Sequence, residues 1–277
     1  MSLPYAEVIG DPIAHSKSPV IHRFWLEKLG IEGDYRTCHV RADALETHFR
    51  MRREDADWHG CNVTVPHKQA VIPFLDEVTP LAQEVGAVNL VFRVPAGLSG
   101  GNSDVAGILD AVPPFEPGEL NTACLIGSGG AALAALAAFR LMGVSRLLIN
   151  VRNRDKGLAL LATSGMEGRV GPVDDAENLQ SAQLIVNATT LGMAGQTPMP
   201  PSVMAAMAGI RDARTVVFDM VYVPLETELL RAARELGLRA VDGLGMLVGQ
   251  AASAFELFFG APPPRDRDPE LRALLTP

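Results

Sequence analysis

The stretch TACLIGSGGAALAALAAFRLMGVSRLLINVRNR, residues 122–154, decides the fold. It reads as a short apolar strand, a glycine loop, an alanine-rich helix and a second apolar strand, which together make a βαβ unit. Glycines between a strand and a helix let backbone N–H groups at the helix N-terminus approach a pyrophosphate. The spacing departs from strict GxGxxG, because Ala132 stands where the third glycine is expected. A small residue suffices there, since the position mainly serves helix–strand packing. A tight turn without a ligand is the plainer alternative, and the flanking strand and helix count against it.

The end of the second strand bears on which nucleotide. An NAD site places Asp or Glu about 20 residues beyond the loop, on the ribose 2′-hydroxyl. Here the segment is Asn150-Val151-Arg152-Asn153-Arg154-Asp155-Lys156, with arginine in place of the acid. Arg152, helped by Lys156 or Arg154, suits a 2′-phosphate through charge-assisted bonds, which favours NADP, while Asp155 leaves NAD open. Further strands are expected at 184–188, 215–221 and 239–241, with helical patterns at 155–163, 201–207 and 225–236. Parallel strands with intervening helices imply a doubly wound sheet whose ligand crevice lies at the strands' C-terminal ends.

Upstream, strand and helix also alternate, so the whole chain is α/β. Residues 6–10 read as a buried strand, and Ser18-Pro19 as an N-cap with proline opening a helix that ends at Gly30. Helices are expected near 43–53, 68–75 and 80–85, and strands at 62–65 and 87–94. The alternation Asn62-Val63-Thr64-Val65 predicts one polar and one apolar strand face. Pro66 closes it and puts Lys68 in the first turn of the next helix. A cation is disfavoured at a helix N-terminus, so the dipole there would loosen the Lys68 proton, as an acid/base catalyst requires; a solvated surface lysine is the plainer reading. PPFEPGEL, residues 113–120, marks the approach to the second unit, and 247–260 forms a last amphipathic stretch.

Composition excludes several classes. The 277 residues are 48% hydrophobic and 20% charged, enough for one large or two medium globular domains. A net charge of −8 argues against nucleic acid. No secretory signal is visible, and the most apolar segment, 131–144, is too short for a bilayer and carries Arg140. Three isolated cysteines, Cys38, Cys61 and Cys124, point to reduced thiols in the cytoplasm, and neither they nor the six histidines show metal-ligand spacing.

A polar cluster stands out in the first unit: Ser16, Ser18, Asn62, Thr64, Lys68, Asn89, Asn102, Ser103 and Asp104. Hydroxyls, carboxamides and one Lys/Asp pair suit a small polyol acid. Ser18 and Asp104 also suit helix caps, whereas Asn89 interrupts an apolar strand and needs partners there.

With these residues collected, the chain resembles the shikimate dehydrogenase family. GDPIAHSKSP, GCNVTVPHK, GAVN, GNSD, GSGGAA, NATTLGM, DMVYVPLET and DGLGMLVGQAA stand in the family's order and approximate spacing. The resemblance implies an N-terminal α/β substrate-binding domain, residues 1–104 with 243–277, and a Rossmann NADP-binding domain, residues 105–242, with a cleft between them. It implies NADPH-dependent reduction of 3-dehydroshikimate to shikimate in chorismate biosynthesis, by a cytoplasmic monomer or homodimer whose partners are small molecules. Lys68 would be the catalytic lysine and Asp104 its partner. Ser16 and Ser18 would hold the substrate carboxylate, and Thr64, Asn89, Tyr222 and Gln250 its ring. Gly127, Gly129, Gly130 and Ala131 would cradle the pyrophosphate, and Arg152 with Asn153 the adenosine end. Asn187, Thr189, Met193, Met220 and Gly243 would line the nicotinamide side or its approach. Ser103 and Leu90 stand where the family usually has threonine, which keeps a quinate/shikimate dehydrogenase using NAD or NADP as an alternative. A non-catalytic NADP-binding regulatory protein is the other, and the presence of both Lys68 and Asp104 speaks against it.

Overall fold

The computed structural model describes residues 3–276. It divides into two compact units, Met1–Asp104 with Gln250–Pro277, and Val105–Gly249. The second division falls inside a helix, later than the border expected at Gly243.

Twelve strands are described: β1 Tyr5–Gly10, β2 Asp34–His39, β3 Trp58–Val63, β4 Glu77–Val78, β5 Leu90–Val94, β6 Gly97–Gly101, β7 Thr122–Ile126, β8 Arg146–Asn150, β9 Glu167–Gly171, β10 Leu184–Asn187, β11 Val216–Asp219 and β12 Arg239–Val241. The α-helices are α1 Ser18–Leu29, α2 Leu45–Glu54, α3 Pro80–Val85, α4 Asp104–Ala111, α5 Gly130–Leu141, α6 Arg154–Ser164, α7 Ala176–Ser181, α8 Pro201–Met207, α9 Glu228–Glu235, α10 Gly243–Phe259 and α11 Asp268–Leu275.

The first unit holds a mixed sheet in the order β2-β1-β3-β5-β6-β4. Strands β2, β1 and β3 run parallel, and β5 lies antiparallel to both β3 and β6. Because β1 connects to β2 on one side and pairs with β3 on the other, the loops after Gly10 and Val63 leave the same sheet edge. That is the topology which places ligands at strand ends. Alternate residues of β1 serve two cores, Tyr5 and Ile9 with Phe49, Trp58 and Val91, and Ala6 and Val8 with Tyr35, Leu90 and Phe258. At Gly60 an added Cβ would collide with the Phe258 ring and the Val91 carbonyl, so glycine there lets α10 seat on the sheet.

The second unit is a fully parallel sheet in the order β12-β11-β10-β7-β8-β9, the doubly wound arrangement expected from residues 122–154. Strand order reverses between β7 and β10, whose C-terminal ends are Ile126 and Asn187. The core is built from near-continuous apolar strands such as Leu184 to Val186, as burial on both faces requires.

Several local expectations are corrected. No helix spans 68–75: after Val63 the chain turns, and only a single 3-10 turn forms at Ile72–Phe74. Pro73 lacks the N–H that a helix interior needs, and the Lys68 carbonyl is taken by the Val88 N–H at 2.8 Å instead. Lys68 therefore does not open a helix of its own. Strand β3 ends at Val63 rather than 65, and Val65 is 69% exposed instead of closing an apolar face. The helix α1 begins one residue early: Lys17 is its N-cap and Ser18 its first residue, while the Ser16 hydroxyl accepts from the Ser18 N–H at 3.3 Å. The elements β2, β4, β6, β9, α7 and α11 carry no clear sequence pattern; β6, GLSGG, is glycine-rich and is held as a strand by pairing along all of β5.

Candidate active site

Part of the polar cluster of the first unit, Asn89, Asn102 and Ser103, gathers around Lys68 and Asp104. The Lys68 ammonium donates to Asp104 Oδ2 at 2.5 Å, and the Asn89 carboxamide donates to Asp104 Oδ1 at 2.8 Å. Both carboxylate oxygens are thus fixed, so Asp104 turns inward instead of capping α4; the Asn102 side chain accepts from its N–H at 3.0 Å. The Asp104 side chain is 7% exposed and that of Lys68 is 29%, which leaves the lysine as the more accessible member of the pair.

Asn89 is buried and its side-chain oxygen accepts from the Ser103 N–H at 2.7 Å. Residues 87–89 precede β5 instead of opening it. The Asn102 amide takes the Ala87 carbonyl, and Asn89 N–H bonds to Gly101, so the segment binds the 101–104 turn. Tyr35, absent from the sequence reading, donates to Asn62 Oδ1 at 2.6 Å, and Asn62 in turn reaches the Asn89 carbonyl. Burial, with Cys61 and Glu7 adding to it, pushes the Tyr35 hydroxyl well above the usual tyrosine range, and a hydrogen bond with Ser18 partly offsets this. Ser18 thereby joins the cluster through Tyr35. Thr64 continues the β1–β3 pairing with its N–H on the Ile9 carbonyl at 3.0 Å, and its methyl packs on Gly10. Gln250 lies one and two turns before Ala254 and Phe258 on α10, the face that packs on Tyr35 and Leu90.

In the second unit a cavity of ≈ 660 Å³ opens at the switch point of the sheet. Gly127, Gly129, Gly130 and Ala131 line it, with Arg152, Asn153 and Lys156 at the end of β8 and Thr189, Met193 and Met220 from the loops after β10 and β11. Gly127 sits at φ +114, where a Cβ would also meet Thr189 at 2.6 Å. Gly129 and Gly130 are different: a Cβ added to either meets nothing within 4 Å. Open space ahead of the N-terminus of α5, with two cations at its far side, fits the phosphates of a dinucleotide. Asn153 caps α6 by accepting from the Lys156 N–H at 3.0 Å.

Two residues expected on the nicotinamide side, Asn187 and Gly243, are absent from the cavity lining. Asn187 does not line the cavity: it is fully buried and donates to Asp219 Oδ1 at 2.8 Å, and its own oxygen accepts from the Thr189 N–H and hydroxyl. Gly243 opens α10 packed on the Met220 backbone, where no Cβ fits. Tyr222, expected as a contact of the substrate ring, follows β11 half-buried, its hydroxyl shifted upward by burial. Asp219, which sequence reasoning missed, is an acid closing the apolar strand VVFD, and that interruption was its signal.

Glu7, Cys38 and His48 bring ligand-type atoms within 4.8 Å of one another. The Arg52 guanidinium already grips Glu7 with two bonds at 2.7 and 3.0 Å, so the cluster is a buried ion pair. The three cysteines are free. Among the described residues no helix is long and apolar enough to cross a membrane.

A family described as the shikimate dehydrogenase substrate binding domain matches residues 8–91, and the shikimate 5'-dehydrogenase C-terminal domain matches 243–267. The shikimate dehydrogenase (NADP(+)) of Sphingopyxis alaskensis is 50% identical over 273 residues, covering 98% of this chain and 97% of that protein. That of Paramagnetospirillum magneticum is 42% identical over 93% of each. The crystal structure of shikimate 5-dehydrogenase from Thermus thermophilus, in complex with NADP(H) and shikimate, superposes with a TM-score of 0.83 at 34% identity, covering 98% of this chain and 99% of that one. Half of all positions shared over nearly the full length, on the same architecture, leave one conclusion: the chain belongs to the shikimate dehydrogenase family.

Proposed function

We propose that this protein catalyses the NADP(H)-dependent, reversible reduction of 3-dehydroshikimate to shikimate in aromatic amino-acid biosynthesis. The observation that carries the reading is the Lys68–Asp104 pair, its carboxylate pinned on both oxygens and its lysine side chain the more exposed of the two. The dinucleotide, when bound, supplies the hydride to the ring ketone carbon or takes it back. Lys68 delivers the proton to the oxygen that becomes the hydroxyl, and removes it in reverse. Of the three donors on its ammonium, one is spent on Asp104, which leaves two to reach the substrate oxygen. Asp104 keeps the lysine in place and, through Asn89, ties it to the rigid turn at Ser103. Ser16 and Ser18 at the start of α1 are the carboxylate donors in this reading, and Thr64, Asn89, Tyr222 and Gln250 are ring contacts. Arg152, with Lys156, takes the 2′-phosphate that separates NADP from NAD. The reading places the protein in the cytoplasm as a monomer or homodimer.

Lys68→Ala is expected to lower turnover by about 10²–10⁴-fold, with KM for shikimate little changed. The assay follows reduced-cofactor absorbance with shikimate or quinate, each offered NADP⁺ or NAD⁺. Near wild-type turnover in the variant removes Lys68 from the mechanism, and preference for quinate or NAD⁺ moves the assignment to the quinate/shikimate branch of the family.

A further inference from the structure

We infer that Asp219 is a positioning residue that holds two walls of the dinucleotide cavity in register, an inference resting on the NADP reading of that cavity. The carboxylate is fully buried at the end of β11 and does not line the cavity itself. Its Oδ1 accepts from the Asn187 side chain at 2.8 Å and the Val221 N–H at 3.0 Å, and its Oδ2 accepts from the Thr227 hydroxyl at 2.7 Å. Each donor leads to a different piece of the site.

Asn187, held by Asp219, turns its oxygen to the Thr189 N–H at 3.1 Å and the Thr189 hydroxyl at 2.6 Å, and that hydroxyl accepts from the Leu191 N–H at 3.0 Å. The loop after β10 is thus shaped residue by residue from the carboxylate outward, and Thr189, Thr190 and Leu191 face the cavity. Val221 belongs to the opposite loop, which lines the same cavity with Met220. Thr227 caps α9 by accepting from the Leu230 N–H, and it backs Gly192 of the first loop.

A hydrophobic residue in place of Asp219 would satisfy the apolar strand better, and no arginine or lysine among the described residues bonds to this carboxylate. Burying an acid without a cation is costly, so the position is kept for what only an acceptor with two oxygens does: it takes donors from three segments at once. Burial raises its carboxyl to about 6, against the bonds from Thr227, Val221 and Asn187 that favour the charged form.

The test is NADP⁺ binding by calorimetry without ring acid, beside steady-state KM for both substrates. Asp219→Ala is expected to weaken NADP⁺ by about tenfold, with KM for shikimate within about twofold. Asp219→Asn keeps an oxygen for Asn187 and Val221 and turns an amide to Thr227, so it is expected to restore most of the affinity. Should Asp219→Ala not fold, Thr227→Val serves instead: it lies outside the cavity lining, keeps the methyl that backs Gly192 and loses the hydroxyl bonded to Asp219, and several-fold weaker NADP⁺ is expected. Unchanged NADP⁺ affinity in the variants, or equal losses for both substrates, overturns the inference. Failure of the wild type to bind NADP⁺ overturns the cofactor reading instead.

Discussion

Each unit of this protein buries a carboxylate in its central sheet, and the two are treated in opposite ways. Glu7 of β1 receives the Arg52 fork, the Trp58 indole N–H at 2.9 Å and His48 at 3.3 Å. Burial by itself would raise its carboxyl, but His48 and Arg52 override that and hold it at about 2. Asp219 of β11 has only neutral donors, and burial wins, raising it to about 6. The first arrangement fixes a charge permanently and serves the core, whereas the second leaves an acceptor whose partners are loops that shape a ligand cavity. Within these two sheets, the acid that a cation neutralises holds the core, and the acid surrounded by neutral donors shapes a site.

The comparison breaks most directly at Arg52. Arg52→Met leaves Glu7 buried without its cation, and removal of one member of a buried pair costs about 3–5 kcal/mol. Denaturant unfolding should show that loss, and the double variant Glu7→Gln with Arg52→Met should recover much of it, because a neutral carboxamide still accepts from the Trp58 indole and needs no charge compensation. A loss under about 1 kcal/mol in the single variant means that the pair behaves as a surface pair and the contrast with Asp219 fails.

Acidity separates the two carboxylates next. Asp219 is raised from 3.8 to about 6, so between those values the folded form holds a proton that the unfolded chain has released. Its contribution is therefore favourable below the lower value and is lost as pH rises through about 6, on the order of 3 kcal/mol in all. Glu7 is lowered from 4.5 to about 2, so its contribution is present above 4.5 and is lost as pH falls through about 2, by a similar amount. Unfolding free energies across this range should show Asp219→Asn removing the decline on the higher window and Glu7→Gln flattening the limb on the lower one. Identical pH profiles for the two variants would erase the distinction.

The sequence carried the second unit further than the first. Residues 122–154 combine apolar strands, glycines and an alanine-rich helix, and those signals are local, so the doubly wound sheet followed from them. In the first unit long-range pairing decides. GLSGG becomes β6 only because β5 lies beside it, and Pro73 overrules the apolar pattern of 68–75. Motif residues such as Lys68 and Asp104 could be named from the chain, but their 2.5 Å contact joins positions 36 residues apart. Glu7 and Asp219 read alike, each a single acid within an apolar strand. The partner that separates them, Arg52, lies 45 residues from Glu7 on another element. Tyr35 was missed for the same reason, since its value lies in reaching Asn62 across the sheet.

The smallest expected effect on stability sharpens the comparison at the glycines. Gly60, under α10 in the first unit, has the Phe258 ring and the Val91 carbonyl where a Cβ would go, so Gly60→Ala overpacks the core at a cost of about 1–3 kcal/mol or more. Gly129 in the second unit has nothing within 4 Å of that point, and its φ of −89 suits any residue. Gly129→Ala is therefore expected to leave unfolding free energy within about 0.5 kcal/mol of wild type. If the empty space is kept for phosphate, the same methyl group occupies it, and NADP⁺ affinity falls while the fold is untouched. Calorimetric titration beside thermal unfolding separates the two: unchanged affinity would mean that the open loop is only a turn, and lost stability would mean that Gly129 is packed like Gly60.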